Sequence, residues 1–333
     1  MFFFTICSNN YLAQATVLGN SLKQFHPTAS FLIILVDEKN DSINYQAIPF
    51  EILPVATIEP GLRELLIKYD IIELNTCVKP RVVEYLFQER DADTVVYLDP
   101  DIQLFEKLTE LESALQKHLI ILTPHIYTPI PIDDKKPSEN TFLNYGLYNL
   151  GFIALRNGNE TMRFVSWWKE HTYKQGFFNV KDGLFVDQLP INLVPLFFKE
   201  VYILQHFGYN MAPWNLHERY LTQQGDQYLI NDKDRLKFFH FSSFRFDGNE
   251  LPLHHYDRFR LKDRPDLHAI YGAYNQALKT AGYTFYAGFP CIYVNQRQQY
   301  LQQKYLEDWK KKPLLKRIAL RVLRYLPFRY KPG

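Results

Sequence analysis

Thr94-Val95-Val96-Tyr97-Leu98-Asp99-Pro100-Asp101 is the stretch on which the fold turns. Its apolar, β-branched run does not alternate with polar residues, which marks a strand buried on both faces. The strand ends in two carboxylates separated by one proline. With a turn between them, both can face one ligand, and hard divalent cations take oxygen donors of this kind. Asp-Pro-Asp is also an ordinary turn sequence, so its meaning depends on its surroundings.

Working outward, Phe2 to Cys7 reads as a first buried strand, followed by Ser8-Asn9-Asn10 as a turn in which Asn9 or Asn10 caps a helix. Tyr11, Ala15, Leu18, Leu22 and Phe25 recur at helical spacing up to His26-Pro27. Phe31 to Val36 and Phe50 to Val55 are further strands, and Lys79 to Glu89 is a helix with Pro80 in its first turn. Beyond the Asp-Pro-Asp turn, a helix (108–117), a strand (119–122) and another strand (150–156) continue the alternation. This order predicts an α/β fold with a largely parallel sheet, whose ligands bind beyond the carboxyl ends of the strands. Residues 124–148 are Pro-rich and charged, long enough for a functional loop or lid. The following helix carries Phe164, Trp167 and Trp168, which read as core.

Composition sets the outer limits. The chain has 333 residues, 47% hydrophobic and 22% charged, enough to bury a sizeable core. Cys7, Cys77 and Cys291 are scattered, with neither metal-ligand spacing nor a disulfide framework, so a reducing, cytoplasmic setting is expected. The apolar start is too short for a signal peptide or a membrane span. Net charge is only +2, with basic residues concentrated after Asp308, so nucleic-acid binding has no support.

Four motifs in order now make the chain recognisable: Tyr97-Leu98-Asp99-Pro100-Asp101, Asn149-Leu150-Gly151-Phe152, Asp187-Gln188 and His240. Over residues 1–245 they resemble the retaining GT-A glycosyltransferases of glycosyltransferase family eight, the group that includes glycogenin and bacterial lipopolysaccharide galactosyltransferases. The resemblance implies a GT-A fold, a Rossmann-like sheet with helices on both faces. It also implies transfer of a hexose from a nucleotide-sugar donor, a UDP-sugar, to a carbohydrate or lipid-linked glycan hydroxyl in bacterial surface polysaccharide or lipopolysaccharide synthesis. Asp99, Asp101 and His240 would hold Mn²⁺ or Mg²⁺. Asp187 and Gln188 would stand near the anomeric carbon, and Asn149 and Gly151 would meet the donor.

Thr5, Asn9, Asn10 and Tyr11 offer hydrogen bonds and a ring face for the nucleotide base. Asp37 is either a ribose ligand or a strand-end charge. Lys79 would offset charge on the leaving diphosphate, with Arg81 competing for that role. His240 lies between Phe239 and Phe241, so a buried core histidine is its alternative reading. One departure stands out: Ser243 occupies the position of a family glycine and Phe246 that of a family lysine. Arg245 is then the candidate for the missing phosphate contact. Trp214-Asn215-Leu216-His217-Glu218-Arg219 is a polar-aromatic cluster that could line an acceptor cleft.

Residues 1–290 form the catalytic domain in this reading, and 291–333 a basic amphipathic helical extension. Lys316, Arg317, Arg321 and Arg324 flank Leu315, Ile318, Ala319 and Val322, a pattern suited to an anionic membrane surface at the inner face of the membrane. Two other readings remain: a catalytically silent GT-A domain that binds or assembles carbohydrate, and a nucleotidyltransferase. The second would carry a Gly-rich phosphate loop after its first strand, where this chain has Ser8-Asn9-Asn10-Tyr11.

Overall fold

The computed structural model describes residues 1–225, 227–246 and 256–311. In chain order the strands are β1 (Phe2–Cys7), β2 (Ser30–Leu35), β3 (Glu51–Pro54), β4 (Thr94–Leu98), β5 (Ile102–Leu104), β6 (Ile120–Leu122), β7 (Phe152–Arg156), β8 (Phe178–Asn179), β9 (Leu184–Phe185), β10 (Val201–Ile203), β11 (Leu221–Gln224), β12 (Gln227–Ile230), β13 (Asp234–Arg235) and β14 (Phe238–His240). The helices are α1 (Leu12–Phe25), α2 (Leu62–Lys68), α3 (Ile71–Cys77), α4 (Lys79–Glu89), α5 (Thr109–Leu115), α6 (Glu139–Tyr145), α7 (Asn159–Gln175), α8 (Val194–Phe197), α9 (His268–Thr280), α10 (Tyr283–Tyr286) and α11 (Ile292–Lys311).

Seven strands make the central sheet in the order β10-β6-β7-β4-β1-β2-β3. It is parallel except at β7, which runs antiparallel to both β4 and β6. The expected α/β architecture is therefore present. Strand alternation sends side chains to two cores. Val95 and Tyr97 of β4 join Phe4, Ile34 and Leu155 against α4 and α7. Val96 and Leu98 join Phe3, Ile121 and Ala154 against α1 and α5. Each large side chain buried in this way contributes about 1.5–3 kcal/mol.

A second, two-stranded sheet does the positioning. Asp99 carbonyl accepts from Ile102 N at 3.1 Å, closing the Asp-Pro-Asp turn that launches β5. β5 pairs antiparallel with β14, placing His240 opposite Ile102, and Phe241 N donates to Asp101 O at 2.9 Å. A three-residue ladder thus carries a histidine from late in the chain to the metal motif.

Two expectations need correction. The 124–148 segment is not all loop, because α6 lies within it. Most of the Trp214–Arg219 cluster is packed inside the protein rather than open to a ligand. Trp214, Asn215, Leu216, Glu218 and Arg219 are all buried, with Glu218 accepting from Tyr127 N and Thr128 N and Arg219 donating to the carbonyls of Phe207 and Tyr209. Its dense polarity serves a buried brace. Trp168 is core, as expected, and Trp167 packs partly buried against the same cluster.

Candidate functional site

A cleft of about 580 Å³ opens at the carboxyl ends of β1 and β4. Asp99 and Asp101 lie on its wall because the strand ends there and the turn exposes both carboxylates. His240 Nε2 stands 3.1 Å from Asp101 Oδ1 and 3.6 Å from Asp99 Oδ2. One ligand atom from each of the three lies within 4.8 Å of the others. Two carboxylates and an imidazole are a fitting donor set for Mn²⁺ or Mg²⁺. Burial lowers the proton affinity of His240, but the carboxylates of Asp101 and Asp99 outweigh it and raise the group above its ordinary value. The residue is buried, as its core reading requires, and its Nε2 is also aimed at the two aspartates.

Tyr97 fixes Asp99 from below, donating its hydroxyl to Oδ1 at 2.5 Å. Burial chiefly, with Asp99 beside it, pushes the phenol well above its ordinary range and keeps it a donor. The residue two positions earlier on a strand shares the face of the one it precedes, so this role was legible in the motif although not read there. Gly151 also has a physical reason. A β-carbon there would come 2.6 Å from Asp99 Oδ2, 2.6 Å from His240 Cε1 and 2.7 Å from Asn149 Oδ1.

The other polar centre is the pair Lys79–Asp187, 3.0 Å apart and almost wholly buried. Lys79 also donates to Leu150 O at 2.9 Å and lies over the Tyr97 ring. Arg81 instead turns away to Ile58 O and Glu84, so Lys79 is the basic residue that lines the cleft. Burial raises Asp187 above the usual carboxylate range, with Lys79 opposing. Asp187 follows Val186, a β-branched residue held at φ +40°, the strained kind of backbone that functional sites retain. Gln188 reaches the cleft wall, but its carboxamide is engaged on both sides, accepting from Leu150 N at 3.0 Å and donating to Tyr145 O at 2.7 Å.

Asn10 and Tyr11 also line the cleft, Tyr11 being 43% exposed. Thr5, Asn9 and Asp37 are not on its wall. Thr5 is fully buried within β1. Asn9 caps no helix; its side chain donates to Asp37 Oδ2 and Glu38 O and accepts from Tyr45 Oη. Asp37 is 1% exposed and accepts from Asn9, Glu38 N and Ile292 N, contacts that suit its strand-end reading. Burial sets its proton affinity above the ordinary carboxylate value. Arg245 is exposed after β14 and is not among the residues lining the cleft. Asn75 and the Pro290–Asn295 turn entering α11, neither read as site residues, supply cleft wall instead. Nothing in the sequence connects a segment after 290 with the first strand.

No family model matches the chain. It is 25% identical over 283 residues to uncharacterized protein YfnF of Bacillus subtilis (strain 168), covering 80% of this chain and 89% of that one. Uncharacterized protein YfnD of the same strain is 24% identical over 289 residues, covering 83% and 88%. Among solved structures, the chain is similar to galactosyltransferase LgtC in complex with donor and acceptor sugar analogs. The TM-score is 0.46 at 16% identity, covering 84% of this chain and 96% of that one. Mouse xyloside xylosyltransferase 1 gives a TM-score of 0.41 at 13% identity, covering 73% and 97%.

Proposed function

We propose that the protein is a metal-dependent glycosyltransferase that moves a hexose from a UDP-sugar to a hydroxyl on a carbohydrate or lipid-linked glycan, with retention. The observation that carries this reading is the Asp99–Asp101–His240 cluster sharing one cleft with the buried Lys79–Asp187 pair. A Mn²⁺ or Mg²⁺ ion held by Asp99, Asp101 and His240 would offset the charge of a diphosphate leaving group. Asn10 and Tyr11 suit the nucleoside, Tyr11 offering its ring face to the base. Asp187 places a fixed negative charge where oxocarbenium-like charge would develop on the sugar, and Lys79 holds that carboxylate in place. In the transfer, the bond from anomeric carbon to diphosphate oxygen breaks. The acceptor oxygen bonds to the same face and its proton is released.

A cytoplasmic site of action beside the membrane belongs to the same proposal. Among the described residues no helix is long and apolar enough to cross a membrane. The basic amphipathic stripe expected around Leu315 to Arg324 lies outside the described residues. The test is a panel of nucleotide sugars incubated with the protein, with and without Mn²⁺. Release of UDP from one donor, abolished by chelator, is expected. An α-linked donor should give an α-linked product by anomeric proton coupling. Donor binding with no turnover under any acceptor would leave a carbohydrate-binding module instead.

A further inference from the structure

Asn149 lies behind Gly151, 5% exposed, and its Oδ1 is a buried atom without a hydrogen-bond partner. That oxygen, Asp99 Oδ2 and His240 Cε1 surround the space in front of the Gly151 α-carbon. The carboxamide's other end is held by His125, whose Nε2 lies 3.1 Å from Asn149 Nδ2. His125 Nδ1 lies 3.2 Å from the Leu147 carbonyl, an acceptor only, so Nδ1 carries the proton. Burial keeps this imidazole neutral, pushing it down to about 3. A neutral ring protonated at Nδ1 has a lone pair at Nε2. The group facing it must therefore be the NH₂ of Asn149, which leaves Oδ1 on the side of Asp99 and His240.

The imidazole is itself fixed. Its ring packs on Phe142 at 5.2 Å and against the edge of Trp214 at 5.4 Å. Trp214 also meets His240 at 5.1 Å, so one indole sets the spacing of both histidines. Asn215 Nδ2 donates to the His125 carbonyl at 3.0 Å.

We propose that His125 is a positioning residue that locks the Asn149 carboxamide with its oxygen toward Asp99 and His240, keeping an acceptor and never a donor beside the cation-binding cluster. An acceptor there can take a hydrogen bond from a water or hydroxyl associated with the cation. With the carboxamide reversed, its NH₂ would stand on the side of Asp99 and His240, a donor where the cation-binding cluster has no use for one. The inference rests on the metal reading of Asp99, Asp101 and His240, and needs no sugar chemistry.

Two substitutions separate the lock from simple packing. His125→Gln can place its Oε1 where Nε2 stands and still accept from Asn149. His125→Asn matches only Nδ1 and cannot reach it. Mn²⁺ affinity of the full chain, measured by calorimetry without donor, should fall roughly tenfold or more in His125→Asn and stay within about threefold of the parent in His125→Gln. Thermal melts of the apo proteins serve as the control, and both variants should melt cooperatively as folded proteins. Unchanged affinity in His125→Asn, or equal loss in both variants, overturns the proposal. A second readout stands apart from metal: ¹⁵N spectra of the apo protein should show His125 protonated at Nδ1 alone and the Asn149 NH₂ protected from exchange, with protection lost in His125→Asn. If the parent binds no Mn²⁺, the metal reading fails and the spectra decide the lock. An unprotected Asn149 NH₂ overturns it.

Discussion

The Lys79 ammonium stands 3.0 Å from the Asp187 carboxylate, with 4% and 1% of the respective side chains exposed. Charges withdrawn so far from water persist only because each compensates the other. Lys79→Met should cost about 3–5 kcal/mol in urea unfolding, since it leaves a buried carboxylate unpaired. Lys79→Met combined with Asp187→Leu should recover much of that stability while remaining inactive. A single variant as stable as the parent would show that the pair is not closed in solution.

Gly151→Ala adds a β-carbon 2.6 Å from both Asp99 Oδ2 and His240 Cε1. Those groups must move apart, so Mn²⁺ affinity should drop roughly tenfold or more, with overpacking costing about 1–3 kcal/mol. Calorimetry and thermal melts read the two effects separately. Parent-like metal binding would contradict the close approach.

Ser243 behaves in the opposite sense. It sits at φ +62° in the turn closed by Phe244 N donating to Phe241 O at 3.0 Å, a backbone region that glycine adopts without strain. Ser243→Gly should therefore stabilise the protein by about 0.5–1 kcal/mol. A loss of stability in chemical denaturation would mean that the serine hydroxyl contributes more than the turn costs.

The acid limb of the stability curve should carry the signature of His125. Its imidazole is down at about 3 in the fold, against about 6.5 for an unfolded chain. Between those values the unfolded state holds the extra proton, so this group removes stability as pH falls, by up to about 1.4 kcal/mol per pH unit. His125→Gln should flatten the limb between about pH 6 and 4 by that amount. Parallel curves for parent and variant would place the histidine in contact with water.

The α/β sheet was legible because β1, β2 and β4 are buried on both faces and say so in unbroken apolar runs. The Asp99–Asp101 turn was legible because its carboxylates interrupt such a run. The mutual contact of Asp37 and Asn9 was not legible for one physical reason: a polar residue at a strand end reads the same whether it faces a ligand or another loop. Here they hold each other. The exposure of Arg245 and the burial of the Trp214–Arg219 cluster were hidden for a similar reason, since residue type carries chemistry without direction. His125 could not be found at all, because its meaning lies in the tautomer imposed by the Leu147 carbonyl.

The first turn of α11 donates Ile292 N to Asp37 at 2.9 Å, and Pro290, Cys291, Val294 and Asn295 finish the cleft wall. Beyond that turn the helix runs on almost wholly exposed to Lys311, about 30 Å in all. Mechanically it is a lever whose fulcrum is the turn shared by Asp37 and the cleft wall. A force along this helix would bear on the same backbone amide that braces Asp37 and on one wall of the cleft, through an element that carries none of Asp99, Asp101 and His240.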